Sequence, residues 1–392
     1  MKVAVVHEWL DTYAGSERVL EEILALYPQA DVFVMVDFIP AGQRAFLGER
    51  RVTTSFIQNL PFARKRFRWY LPLMPFAVEQ FDLSGYDLII SSSHAVAKGV
   101  IGRPHQPHIS YVHSPMRYAW DLQGDYLAGG KWRSLVPRML MHYLRMWDAR
   151  TANGVDQFVA NSGFIAQRIL KTYRRTAEVI HPPVDIADFT VVADKEDFYV
   201  TLSRLVPYKR VDLLVDAFAQ MPQRRLIVVG NGPELAALKA RAPANVTFAG
   251  RVSDDLKRQY LQRAKAFVYA GEEDFGIVLV EAQACGTPVI AFGRGGAAEI
   301  VVDGETGLLF DEQSPEALVA AVDLFEQMPT FEPLRIAINA NRFGVARFRS
   351  EFRAIVDRAM RPQLRIVART VLNGAGDHPD RAPSVSQSSM HA

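Results

Sequence analysis

The residues best placed to do chemistry lie in one stretch, Glu272-Glu273-Asp274-Phe275-Gly276-Ile277-Val278-Leu279-Val280-Glu281, which runs on to Gly286-Thr287-Pro288. It follows an apolar run, Ala266–Tyr269, that reads as a strand, and its second half reads as a helix stopped by Gly286 and Pro288. The main-chain N–H groups of Phe275, Gly276 and Ile277 then stand at a helix start. There they lack intrahelical partners and can hold sugar hydroxyls or phosphate oxygens. Gly276 lets a ligand approach the backbone. Glu273 and Glu281 invite comparison with the paired carboxylates of a glycosidase, which stand about 5–5.5 Å apart in retaining enzymes. Eight helical residues separate them by ~12 Å instead. That spacing suits two parts of one long ligand. Taken alone, Glu273 is also explained as a negative charge near a helix N-terminus.

A second element, Ser203-Arg204-Leu205-Val206-Pro207-Tyr208-Lys209-Arg210, follows the strand pattern Phe198–Leu202. Two cations at a strand's carboxyl end, Arg204 and Lys209, can neutralise a diphosphate leaving group without a metal. Arg210 reads as solvated. A third, Gly230-Asn231-Gly232-Pro233-Glu234-Leu235, begins like a dinucleotide fingerprint but carries Leu235 where Gly or Ala is required. It reads as a tight strand-to-helix turn, and its failure argues against a dehydrogenase.

The elements that must position these residues alternate β and α. Lys2–Val6 is a buried-strand pattern, followed by a turn at Ala14-Gly15 and a helical pattern through Val19, Leu20, Ile23 and Leu24. Further strand patterns are Asp31–Val36, Asp87–Ser91, His108–Val112 and Asp156–Ala160. After Pro182-Pro183 the alternation restarts with Phe198–Leu202, Arg225–Val229, Val246–Ala249, Ala266–Tyr269 and Pro288–Ala291. Two parallel sheets in tandem follow, with a cleft between their strand carboxyl ends. The expected units are residues 1–182, residues 183–340, a helical segment 341–362 with Phe343, Ala346, Phe348, Phe352 and Ile355 apolar, and a disordered tail 373–392.

Composition agrees with a folded chain. Of 392 residues 49% are hydrophobic and 22% charged, and the net charge of +2 gives no global pull toward nucleic acid. The single cysteine, Cys285, excludes an intrachain disulfide and a Cys-rich metal site, and fits a reducing, cytoplasmic setting. No run reaches the ~18 apolar residues of a membrane span. Residues 44–70 carry Arg44, Arg50, Arg51, Arg64, Lys65, Arg66 and Arg68 among Phe56, Phe62, Phe67, Trp69 and Tyr70. Residues 131–147 are similar, with Lys131, Trp132, Arg133, Arg138, Tyr143, Arg145 and Trp147. Such a face suits an anionic membrane or a polyprenyl-diphosphate glycan. A solvated face with some aromatics in the core is the plainer alternative.

The Arg204–Lys209 pair, the Gly-Asn-Gly-Pro turn and the Glu-x7-Glu segment together resemble glycosyltransferase family four, of the GT-B fold, over residues 1–360. The strings VPYKRVD and YVHSPMRYAWD look most like bacterial mannosyltransferases of O-antigen and exopolysaccharide (surface polysaccharide, including lipopolysaccharide) assembly. The resemblance implies two Rossmann-like domains facing across a cleft, with the C-terminal helix crossing back to the first. It implies that Glu273 contacts the donor sugar and that the amides of Phe275, Gly276 and Ile277 hold its hydroxyls and phosphate. Glu281 would bind ribose, and Arg204 and Lys209 the diphosphate. Gly15 would admit the phosphates, although Ala14 stands where many relatives have a second Gly. His113, after the strand His108–Val112, would face the donor sugar, and the base would lie near Arg251 and Val252. Taken alone, His113 is as readily a structural hydrogen bonder. Arg117 and Asp121, which follow it, are not expected to be catalysts.

The implied activity is a metal-independent, retaining transfer of a sugar, mannose from GDP-mannose foremost, to a hydroxyl of a lipid-linked glycan. In it, a diphosphate oxygen takes the acceptor proton. No cofactor or metal is expected, and the site is cytoplasmic, peripheral on the inner face of the membrane. A UDP-sugar donor and a GT-B sugar-nucleotide epimerase are the alternatives. The absence of an evident extra acid/base set argues against the epimerase, and intact site residues argue against a non-catalytic partner.

Overall fold

The computed structural model describes residues 1–121 and 135–374, with side chains as far as Arg361. Residues 375–392, most of the expected disordered tail, lie outside the described residues, as do Lys131, Trp132 and Arg133. The first sheet has seven parallel strands: β1 (Val3–His7), β2 (Asp31–Val34), β3 (Val52–Thr54), β4 (Leu88–Ser93), β5 (His108–Val112), β6 (Gln157–Ala160) and β7 (Ala177–Val179). Their order is β3-β2-β1-β4-β5-β6-β7. The second has six: β8 (Glu196–Leu202), β9 (Leu226–Val229), β10 (Val246–Gly250), β11 (Ala264–Tyr269), β12 (Val289–Phe292) and β13 (Gly307–Phe310). Their order is β10-β9-β8-β11-β12-β13, also parallel throughout.

Helices cover both faces, so the central strands are buried on each side and read as continuous apolar runs. In β1, Val3 and Val5 pack with the helix Gly15–Leu26, while Ala4 and Val6 pack into the opposite core with Met74, Ala77 and Val78. The expected helix face Val19, Leu20, Ile23 and Leu24 is fully buried.

Three strands escaped the sequence reading: β3, β7 and β13. Each is an outermost strand of only three or four residues, too short to show a period. The C-terminal helix, expected to end at 362, runs Val345–Gly374. Phe343 belongs to the second sheet's core, but Phe348, Phe352, Ile355 and Val356 are buried in the first. Their i, i+4, i+7 spacing gives one apolar stripe, and Phe348 and Phe352 lie 5.9 and 6.4 Å from the Tyr111 ring. The helix therefore does return to the first domain. Ala346, expected on this stripe, is exposed because it lies off that face.

The basic-aromatic stretches are divided by packing. Phe67 and Trp147 are buried, Trp147 donating to Glu79 at 2.8 Å, so neither is surface. Phe62 (76% exposed) and Trp69 (68%) face solvent beside exposed Arg64, Lys65 and Arg66. Among the described residues no helix is long and apolar enough to cross a membrane.

Candidate active site

In an open parallel sheet the ligand crevice forms where the strand order reverses. In the second sheet that point lies between β8 and β11. The loop after β8 carries Arg204 and Lys209; the loop after β11 carries Glu273. Adjacent strands thus bring together residues more than sixty positions apart. The loops touch closely: a side chain at Gly271 would come within 3.1 Å of the Lys209 Cα. Lys209 Nζ and the Tyr269 hydroxyl both donate to Glu273 Oε1. Burial alone would raise the Glu273 carboxyl, but the Lys209 charge and hydrogen bond, Tyr269 and Arg117 outweigh it and hold it below the usual range. Glu273 is an ionised acceptor. Arg204 is exposed and makes no ion pair among the described residues. Arg210 is paired with Asp212 at 3.2 Å.

Beyond Glu273 the chain turns through Gly276, whose φ of 100° is the left-handed conformation glycine favours, into the helix Ile277–Ala284. The amides of Phe275, Gly276 and Ile277 donate to no other main-chain group described. The Phe275 side chain is core, stacked on His181 at 5.3 Å. Glu281, 1% exposed, faces the first domain: Arg18 Nη1 lies 2.8 Å from Oε1, and Lys257 Nζ lies 2.6 Å from Oε2. The second contact is an ion pair of poor hydrogen-bond angle, since Oε2 has no angled donor. Glu273 and Glu281 thus have separate partners and form no carboxylate pair.

A cleft of about 540 Å³ lies between the sheets. Gly15 and Arg18 line it from the first domain, and Arg251, Ile277 and Glu281 from the second. A Cβ on Gly15 would stand 3.0 Å from Ile277 Cδ1. Val252, expected beside Arg251, does not line the cleft and packs into the core. The Gly230–Pro233 segment is the tight turn expected: Gly232 leaves no room for a Cβ against Leu205 O, 2.2 Å away.

His113 immediately follows β5, its Nε2 2.9 Å from Ser92 Oγ and its carbonyl accepting from Asn161 Nδ2 at 2.9 Å. Burial, then the neighbouring His94 and His7, push its imidazole down to about 3. It is a neutral hydrogen bonder at physiological pH. Its loop faces the Glu273 loop: Arg117 pairs with Asp274, as does Arg168 at 3.1 Å, and Ser162 Oγ donates to Asp274 O at 2.5 Å. Arg168 also pairs with Asp121. Arg117 and Arg168 therefore tie the two domains together, and Asp121 holds Arg168 from within the first domain.

Sequence reasoning missed Arg18, Lys257 and Tyr269. Arg18 and Tyr269 had a weak signal, three residues after Gly15 and four before Glu273; Lys257 had none.

Residues 13–188 match the family model Glycosyltransferase Family 4, and residues 185–343 match Glycosyl transferases group 1. A D-inositol 3-phosphate glycosyltransferase of Mycobacterium sp. (strain KMS) is 32% identical over 192 residues, covering 42% of this chain and 43% of that protein. The GDP-mannose-dependent alpha-(1-6)-phosphatidylinositol monomannoside mannosyltransferase of Mycolicibacterium smegmatis is 37% identical over 143 residues, covering 31% and 37%. These matches span less than half the length of either relative. The crystal structure of Anabaena HepE with UDP and glucose has a TM-score of 0.68 at 21% identity, covering 90% of this chain and 99% of that one, which establishes the GT-B fold. Together the two models match residues 13–343, so the chain carries the paired glycosyltransferase domains of a GT-B protein.

Proposed function

We propose that the protein is a retaining, metal-independent glycosyltransferase that moves mannose from GDP-mannose to a hydroxyl of a lipid-linked glycan. The carrying observation is the cleft: free helix-start amides on one side, Gly15 opposite them, and a buried carboxylate, Glu281, further along. A nucleotide-diphospho-sugar fits this sequence of groups. The sugar lies against Glu273 and His113, and the diphosphate against the amides with Arg204 and Lys209. The ribose displaces Arg18 from Glu281, and the base lies near Arg251.

Arg204 and Lys209 stabilise the charge that develops on the departing diphosphate. Since His113 is uncharged, it supplies no proton, and the departing phosphate oxygen takes the acceptor's. The new bond forms on the face the diphosphate leaves. Mannose is favoured by the likeness to the Mycolicibacterium mannosyltransferase and by the VPYKRVD and YVHSPMRYAWD strings.

For the acceptor side, Phe62 and Trp69 with Arg64, Lys65 and Arg66 form an exposed apolar and cationic face suited to an anionic bilayer. The exposed Leu135, Val136 and Met139 add apolar surface in the same domain. The enzyme would then work at the inner face of the cytoplasmic membrane on a polyprenyl-diphosphate glycan.

A thermal-shift panel of GDP-, UDP- and ADP-sugars tests the donor, because a true donor raises the melting temperature by mass action. Stabilisation by UDP-sugars alone would reassign the base. Activity should survive EDTA; loss restored by magnesium would overturn the metal-free mechanism. Product of inverted anomeric configuration would overturn retention. Co-sedimentation with vesicles should require anionic lipid and weaken in Phe62→Ala/Trp69→Ala; equal binding to neutral vesicles refutes the docking face.

A further inference from the structure

In the first sheet the strand order reverses between β1 and β4, and a hydrogen-bonded chain of side chains crosses that point. Strand register sets His7 beside Ser92, and Ser92 beside Tyr111 two residues before His113. His113 Nε2 lies 2.9 Å from Ser92 Oγ, and Ser92 Oγ lies 3.0 Å from His7 Nδ1. His7 Nε2 lies 3.2 Å from Glu17 Oε1, and Glu17 Oε2 accepts the Ala14 amide at 2.9 Å. His7 and Ser92 are fully buried and Glu17 is 4% exposed. The chain therefore runs, sealed from water, from the loop that bears Gly15 to the half-buried imidazole of His113.

Proton counting restricts this chain. Burial raises the Glu17 carboxyl, but the hydrogen bonds it accepts from His7, its own main-chain amide and Ser16 bring it below the ordinary value, so it is an acceptor. His7 Nε2 must then carry a proton. A serine hydroxyl has one proton to give. If His7 carries only the Nε2 proton, Ser92 donates to His7 Nδ1 and must accept from His113 Nε2–H. If His7 carried both, Ser92 would donate to His113, whose proton would move to Nδ1. The first arrangement keeps both rings neutral and leaves only the His113 Nδ1 lone pair without a partner, whereas the second places a charged ring at a position of zero exposure and leaves His113 an unpaired Nδ1–H donor.

We propose that Glu17, His7 and Ser92 are positioning residues that hold His113 as the Nε2–H tautomer, leaving Nδ1 a bare acceptor for a hydroxyl of the donor sugar. Among the described residues His113 Nδ1 has no partner, and it is not among the sealed, unpartnered atoms. The sugar-binding half of this inference rests on the glycosyltransferase reading; the tautomer does not. Glu17 also holds the Ala14 amide, so the same buried group sets the loop facing the diphosphate.

The test is ring-nitrogen NMR of the full-length protein labelled with ¹⁵N-histidine, with His113 assigned from the His113→Asn spectrum. His113 should show a protonated Nε2 and an unprotonated Nδ1 without any substrate. A protonated Nδ1 overturns the proposal whatever the enzyme transfers. Ser92→Ala should mix the tautomers and lower kcat roughly tenfold, the order of one neutral hydrogen bond, with the donor KM within about threefold. Glu17→Gln, which keeps an oxygen acceptor for His7, should retain most of the rate that Glu17→Ala loses. Melting temperatures taken alongside separate this from unfolding, and an unchanged tautomer and kcat in a folded Ser92→Ala protein overturns the positioning role. The expected tautomer with no sugar transfer to any acceptor would remove the glycosyltransferase reading and leave the relay standing.

Discussion

Replacing Gly15 with alanine separates folding from function. Gly15 opens the helix Gly15–Leu26 after an extended Ala14, and its backbone is not left-handed, so an L side chain meets no backbone strain. Alanine is the better helix former, by up to about 1 kcal/mol in a helix interior and less at its first residue. The added Cβ stands 3.0 Å from Ile277 Cδ1, roughly 0.5–1 Å inside an ordinary carbon contact. Cδ1 is the far end of a flexible side chain and can rotate away. Stability should therefore change by no more than about 1 kcal/mol, or roughly 2–4 °C in melting temperature.

Turnover should respond differently. The methyl group projects into the cleft opposite the Phe275, Gly276 and Ile277 amides, and Ile277 itself supplies one of them. A displacement of ~1 Å in a reacting geometry costs about 100-fold, which corresponds to ~2.7 kcal/mol of barrier. Steady-state transfer kinetics with varied donor, beside a thermal melt, make the measurement. A Gly15→Ala enzyme with kcat/KM within about threefold of wild type would refute the claim that the diphosphate passes between these two loops.

Three further outcomes follow. Lys209→Met removes one of two donors to Glu273 Oε1 and one cation from the diphosphate site; kcat should fall by at least about 100-fold, and a loss confined to KM would contradict a transition-state role. Asp148→Ala strips the buried Lys98 of its 2.5 Å partner and leaves Trp120 Nε1 and the Tyr173 hydroxyl without an acceptor, so chemical denaturation should show a loss of about 3–5 kcal/mol. Burial lowers the His108 imidazole to about 4 and, together with His94 and His7, that of His113 to about 3. Between those values and the ordinary 6.5 the unfolded chain binds more protons than the folded one, so stability is full above about 6.5 and is lost as pH falls. Each histidine contributes up to about 1.4 kcal/mol per pH unit, and His108→Asn should flatten the slope measured by denaturation from pH 6.5 to 4.5.

The second domain was more legible than the first. Its strands are long, apolar and punctuated by glycine, and the Glu273–Pro288 segment carries its own helix start and stop. In the first domain, β3 lies inside the Arg-rich stretch at residues 44–70, where short-range pattern shows charge and aromatics but not which ones turn inward. Phe67 and Trp147 are among the aromatics that turn into the core, which the pattern could not single out because an aromatic residue's burial depends on what packs over it. His7, Ser92 and Glu17 gave no sign of acting together, since each is ordinary in its own strand or helix.

The sequence by itself determined the two tandem βα runs, the free helix-start amides, and the separation of Glu273 from Glu281. These depend on periodicity, capping and rise per residue, which operate within a few positions. Only the tertiary structure decided that β8 lies beside β11, putting Lys209 on Glu273, and that Arg18 meets Glu281 across 263 residues of chain. It also decided that β1, β4 and β5 align His7, Ser92 and His113. Strand order and partner choice follow from burying many apolar faces at once, and that optimum belongs to the whole chain rather than to any segment of it.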